Sequence, residues 1–245
     1  MKKIMIALFL FLAAIPCFGA DKYVAFIESA ENSFGAGDYK QAIEIYESLI
    51  QIEKVKNPYL YYNLSNAYYR SGELGKAIVN IEKAFILKPA DKNIRHNRLF
   101  LRNKAGAGEP EDFFSKVTGF CSLNTITILF SAAVIFILLS VSLRLFGIKK
   151  ASKPLIMAPL IFLFVISCII FALKVNDEIF TSKAASLSAV SVRSGPGINN
   201  PEIFNLPEGR IVTVKNTSGG WSYIEVSPEG FSGWVQGGEI EGINE

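Results

Sequence analysis

The chain has 245 residues, half of them hydrophobic, and a mean hydropathy of +0.31, high for a protein that lives in water. Lys and Arg number 25 against 22 Asp and Glu, and Lys2 and Lys3 sit at the extreme N-terminus, so the remainder is close to neutral and no overall field argues for a nucleic-acid partner. With one histidine, His96, and three cysteines (Cys17, Cys121 and Cys168) lacking any CxxC pairing, a zinc site or disulfide framework is not expected, nor is any cofactor.

The first segment, MKKIMIALFLFLAAIPCFGADK, places a basic start before an apolar stretch from Ile4 to Ile15, then Pro16 and small residues. That is the layout of a secretory signal peptide, expected over residues 1–19 with cleavage after Gly19. Pro16 directly before Cys17 fits a lipid-attachment signal badly. An uncleaved anchor remains the alternative and would change the topology little.

Residues 21–105 repeat themselves. AENSFGAGDYKQAIEIYESLI from Ala30 aligns with SNAYYRSGELGKAIVNIEKAF from Ser65, matching a small first residue, Gly37 with Gly72, and Ala42 with Ala77. Small residues at these spacings let two antiparallel helices approach closely, and the glycine permits a tight turn between them. Ile43, Tyr46, Leu49 and Ile50 recur at helical spacing, as do Ile78, Ile81, Phe85 and Leu87, and Pro89 stops the second pair. The pattern resembles the tetratricopeptide repeat, a helix–turn–helix unit of about 34 residues ending in Pro. Leu64, Ser65, Tyr68, Gly72, Ala77, Ala84 and Pro89 stand at family positions, whereas Ser29 and Ser33 make the first repeat looser. Residues 91–104 read as a third, solvating helix that caps the array.

The resemblance implies a concave protein-binding face, here carrying Ile27, Glu31, Tyr59, Tyr62, Asn66 and Tyr69, with Asn97 nearby from the cap. Tyrosine offers large area at low entropic cost, and Asn can bond an extended peptide backbone. The alternative is that Tyr61 and Tyr68 are core packing and the outward tyrosines form a non-specific face. Ile27 and Glu31 occupy two places of the family's clamp for C-terminal carboxylates, so that clamp is missing.

Residues 106–121, with Gly, Pro and acids followed by Phe113, Phe114 and Phe120, read as a linker. Two apolar runs follow, uncharged from Val117 to Leu143 and from Pro154 to Leu173, giving expected membrane helices over 122–146 and 154–174. At about 1.5 Å per residue each can cross a hydrocarbon layer of roughly 30 Å. No polar face interrupts them, as a soluble core helix would require, and no charge lies mid-span to suggest an ion path. The turn between them is basic: Lys149, Lys150 and Lys153 of the loop 147–153 gather with Arg144 at the end of the first helix, without an acid. Short cytoplasmic loops collect such cations. Both soluble ends are then expected on the outer side, which agrees with the export signal.

Residues 182–245 change to short β-like segments, SLSAVSVR, RIVTVKN, WSYIEV and FSGWVQ, separated by turn residues. These four are among five strands expected over about sixty residues, which suggest a small barrel. Val192–Arg193–Ser194–Gly195–Pro196, with LPEG, GGWSYIEV and GFSGWV after it, resembles the bacterial SH3-like domain. Relatives use the loop after VRSGP and nearby aromatics on cell-envelope material or peptides. The resemblance therefore implies Arg193, Ser194, Pro196, Trp221, Tyr223 and Trp234 as ligand-binding candidates. The alternative is that Arg193 and Ser194 shape the loop and both tryptophans are structural.

The expected fold class is thus multidomain: all-α helix pairs, a two-helix transmembrane hairpin and a small all-β SH3-like barrel. The order of modules is similar to that of the BatE-type proteins of the Bacteroides aerotolerance operon. That resemblance implies a non-catalytic membrane scaffold in the inner membrane whose neighbours are von Willebrand A-domain membrane proteins and a MoxR-type ATPase. A peptidoglycan-binding anchor that recruits a wall enzyme is the second reading. An enzyme is not expected from one histidine, no phosphate loop and no nucleophile–base pair.

Overall fold

Helix pairs open the chain because small residues stand where the helices cross. The computed structural model describes residues 20–52, 54–106, 122–145 and 154–244. The expected signal peptide, Cys17, the linker beyond Gly106, Cys121, and the loop lysines Lys149, Lys150 and Lys153 lie outside the described residues, as does the side chain of Arg144. Two compact units are distinguished, Met1–Val55 and Lys56–Glu245.

In the first unit, α1 (Ala20–Gly35) and α2 (Tyr39–Gln51) pack as a pair. Asp38 starts α2 by accepting the Gln41 N–H, and Ala30, Ala42, Tyr46 and Leu49 are buried. Ser33 is buried too. Its hydroxyl lies 2.9 Å from the Ser29 carbonyl and 2.8 Å from Oε1 of Gln41.

The second unit begins with α3 (Pro58–Ser71), α4 (Leu74–Leu87) and α5 (Lys92–Lys104). Asn57 caps α3 with Pro58 in the first turn, where a missing N–H costs nothing. Gly72 ends that helix in the left-handed conformation (φ +92°), as a tight turn into α4 demands. Ser65 is fully buried and donates to the Ala77 carbonyl across the crossing at 2.7 Å, so the two small residues mark the closest approach. Helix α5 turns Ile94, Arg98, Leu101 and Arg102 inward, and apart from Leu99 and Phe100 its other residues are polar.

Helices α6 (Leu123–Leu145) and α7 (Pro154–Val175) form an antiparallel pair, with the Phe130 ring stacked on Phe164 and on Phe171 at 5.7 and 5.1 Å. Among the described residues no helix is long and apolar enough to cross a membrane; the described side chains of α6 end at Leu138 and those of α7 begin at Ile161. What is established here is a helical pair with many exposed apolar side chains, among them Ile128, Leu129, Ile135, Leu138, Phe162 and Ile169.

From α7 the backbone passes through a π-helical turn (Asn176–Phe180) into an antiparallel sheet. Its strands are β1 (Ser182–Ser186), β2 (Val190–Arg193), β3 (Glu202–Leu206), β4 (Ile211–Ser218), β5 (Trp221–Val226), β6 (Phe231–Gln236) and β7 (Ile240–Gly242), in the order β3-β2-β6-β5-β4-β1-β7. Seven strands replace the five expected. The alternation read over SLSAVSVR is a strand only from Val190 on, and β1, β3 and β7 carry little of the alternation that marks the others. Ala184, Val190, Val192, Leu206, Val212, Ile224, Val226, Val235 and Ile240 come from all seven strands and share one core, so the sheet is curled around it.

Helix α4 is buried on more than the two sides its repeat needs: Gly75, Ala77, Ile78, Val79, Asn80, Ile81, Glu82 and Ala84 are all inaccessible. Its remaining side packs on β1 and β7 of the sheet. A helix covered all round is a core element, which agrees with its apolar composition.

Candidate functional site

Two faces gather the candidate residues. The first lies between α3 and α5. Tyr59, Tyr62, Asn66 and Tyr69 recur at intervals of three and four and so share one side of α3. Across from them α5 presents Asn97 and Phe100. Asn97 Nδ2 donates to Asn66 Oδ1, and Tyr69 meets the Phe100 ring edge-on at 5.4 Å. Phe100 was missed by the sequence reading, although its spacing of three from Asn97 places it on the same side.

Tyr59 is the most exposed of the row but is held at the turn between α4 and α5. Its hydroxyl donates to Asp91 (3.3 Å) and accepts from Lys88, whose ammonium also sits 4.5 Å above the ring. The Tyr59 hydrogen bond, more than any charge, keeps the Lys88 pKa above the usual lysine value. Burial works to raise the Asp91 pKa, yet the N–H groups of Ile94 and Asn93, together with the Tyr59 hydroxyl and the Lys88 charge, outweigh it and the carboxylate stays below its ordinary range. Tyr62 and Tyr69 are half-buried. Tyr68 is buried as core, while Tyr61 is only half-buried, and burial pushes its phenol upward. Ile27, half-buried, and Glu31, exposed, belong to α1 in the other unit.

Behind this face is a charged cluster no sequence pattern announced. Glu82 of α4, buried, takes Arg98 Nε on both oxygens at 2.9 Å and Arg102 Nε at 2.6 Å. Burial acts to raise its pKa, but Arg102 and then Arg98 prevail and bring it down to about 2. The guanidinium of Arg98 also lies 4.1 Å from the Phe85 ring centre. This cluster fastens α5 to α4 and so sets the distance across the tyrosine–asparagine row.

The second face is on the sheet. Register places Arg193 opposite Trp234, Trp234 opposite Tyr223, and Tyr223 opposite Asn216, a row across four strands. Directly opposite residues point to one side of a sheet, here the side away from the core. Tyr223 and Trp234 rings are 5.4 Å apart and tilted by 54°, and the Tyr223 hydroxyl bonds Ser232 at 2.9 Å. Trp221, two residues before Tyr223, joins the same side, and all three aromatics are half-buried.

Arg193, at one end of the row, is also engaged by the loop that follows β2. It donates to the carbonyls of Ile198 (2.9 Å) and Asn200 (2.8 Å) and to Glu202 Oε1 (2.9 Å). With the Ser194 N–H bonded to the Pro201 carbonyl at 3.0 Å, the guanidinium shapes the 194–201 loop. Ser194 and Pro196 are exposed on that loop, beside the aromatic row and outside it. Among the described residues no group of His, Cys, Asp and Glu could hold a metal ion.

Two known families match parts of the chain. A family model described as a tetratricopeptide repeat matches residues 58–91, and one described as a bacterial SH3 domain matches residues 188–241. The first match covers α3, α4 and the turn into α5; the second begins just before β2 and runs into β7. No curated protein matches the chain.

Proposed function

We propose that this protein is a non-catalytic adaptor anchored in the inner membrane, holding a repeat face and an SH3 face on the outer side of that membrane within a Bat-type stress-tolerance assembly. A repeat of this kind and a bacterial SH3 domain together suggest binding of proteins or of cell wall. The observation that carries the reading is the row Tyr62, Asn66, Tyr69 facing Asn97 and Phe100, which offers rings and amides to an extended segment. Membrane residence is supported by the exposed apolar side chains of α6 and α7, such as Ile128 at 68% and Phe162 at 65%, a surface too greasy to leave in water. The basic residues Arg144, Lys149, Lys150 and Lys153 support a cytoplasmic turn between those helices. The expected partners are von Willebrand A-domain membrane proteins and the ATPase system associated with them.

The half-buried aromatics Trp221, Tyr223 and Trp234 favour a second reading, in which the sheet grips peptidoglycan. One experiment tests both. The full chain, solubilised in detergent, is used to recover partners from its native membranes and is also sedimented with purified sacculi. The adaptor reading expects von Willebrand A-domain proteins to co-elute and Asn66→Ala with Tyr62→Ala to release them. Sedimentation with sacculi that Trp234→Ala abolishes, with no membrane partner recovered, replaces the adaptor with the wall anchor.

A further inference from the structure

Helix α4 starts without a local side-chain cap: Glu73 precedes it and makes no capping bond through its side chain. The N–H of Gly75 instead donates to Oε1 of Glu208, at 2.8 Å, from the β3–β4 turn of the sheet. A carboxylate there satisfies an otherwise unpaired helix N–H and complements the helix dipole. Eight residues further along α4, Lys83 Nζ meets Glu241 of β7 at 2.8 Å. Between these two polar contacts the surfaces touch without side chains to spare. A Cβ on Gly75 would lie 2.5 Å from the Ser186 carbonyl oxygen and 2.7 Å from Leu187 Cα, both backbone. One on Gly209 would lie 2.4 Å from Ile78 Cδ1 and 3.2 Å from the Ala105 Cβ, and Gly209 also needs its positive φ of +76°. The last strand, β7, stands at the end of the sheet beside β1, and α4 packs against both.

We infer that the SH3 domain carries a second binding surface, made of its β1–β7 edge and the Pro207–Gly209 turn, that is built to dock a helix, and that its occupant is α4 of the same chain. Its chemistry is distinct from the aromatic row: one carboxylate for a helix start, one for a lysine a little over two turns on, and glycines where the backbones approach. Docking leaves the tyrosine–asparagine face of α3 and α5 open while closing the opposite side of the repeat to other proteins. It also makes the two recognition faces parts of one body.

The test uses the full chain in its membrane, with Cys17, Cys121 and Cys168 replaced by Ser and a protease site inserted after Gly108. A short bismaleimide is applied to Lys83→Cys with Glu241→Cys, or to Lys83→Cys with Asn199→Cys, which lies on the loop between β2 and β3. After cleavage the first pair is expected to keep both fragments in one band, and the second pair to let them part. Glu208→Ala, which removes the acceptor of the Gly75 N–H, is expected to slow the first cross-link roughly fivefold, the effect of one lost helix cap. Gly209→Leu is expected to abolish it. Equal cross-linking of both pairs, or unchanged rates in both variants, overturns the inference. A band at twice the mass overturns its in-chain occupant in favour of a second copy.

Discussion

Glu82 shows how much a single buried carboxylate decides. Removing one member of a buried ion cluster strands the others, at a cost of about 3–5 kcal/mol, so Glu82→Gln is expected to destabilise the second unit by about that much in urea at neutral pH. The sign with acid follows from the depressed pKa. Folded, the group titrates near 2; unfolded, near its ordinary 4.5. Its stabilisation is therefore complete above 4.5 and is lost as pH falls toward 2. The stability gap between the native chain and Glu82→Gln should narrow by about 2 kcal/mol on going from pH 7 to pH 3, at roughly 1.4 kcal/mol per unit. A gap of equal width at both pH values would count against the ion cluster as its source. Neither Glu82 nor its arginines could be picked out beforehand, because Arg98 and Arg102 stand in a helix that reads as solvating. Only the fold reveals that two of its cations turn inward.

At the level of elements, capping and close crossing account for the repeat. Asp91 accepts N–H bonds from Asn93 and Ile94 at 3.0 and 3.3 Å and so starts α5. Asp91→Ala should cost about 1 kcal/mol and raise hydrogen exchange across the first turn of α5, whereas Asp91→Asn should keep most of the protection. Loss of protection with Asn as large as with Ala would mean that charge pairing with Lys88, rather than the cap, holds the turn. Helix positions were legible because Gly37, Gly72, Ala42, Ala77 and Pro89 punctuate them with a mechanism. Strands β1 and β3 were not: SKAAS has no β-branched or aromatic residue, and EIFNL is an edge strand with mostly exposed side chains. The aromatic row was half legible. Trp221 and Tyr223 alternate visibly, but their meeting with Trp234 depends on strand register, and register is a property of the pairing.

For the whole molecule, the docking of α4 on the sheet was beyond reach of local pattern, since Gly75 and Glu208 lie far apart in the chain. In hindsight the run Ala77–Glu82, buried without a break, is more than one amphipathic stripe can cover. The proposed topology is checked by labelling. Single cysteines introduced at Lys150 and at Lys215, in a background without the native three, are exposed to a membrane-impermeant maleimide in intact cells. Label is expected at position 215 and absent at 150 until the membrane is opened; the reverse pattern refutes the outward placement. One junction matters further. Helix α7 runs through the turn at Asn176–Phe180, and a single residue, Thr181, intervenes before β1 pairs with both β4 and β7. Such a joint has almost no slack, so a tilt of that rod would swing the attached sheet like the arm of a lever.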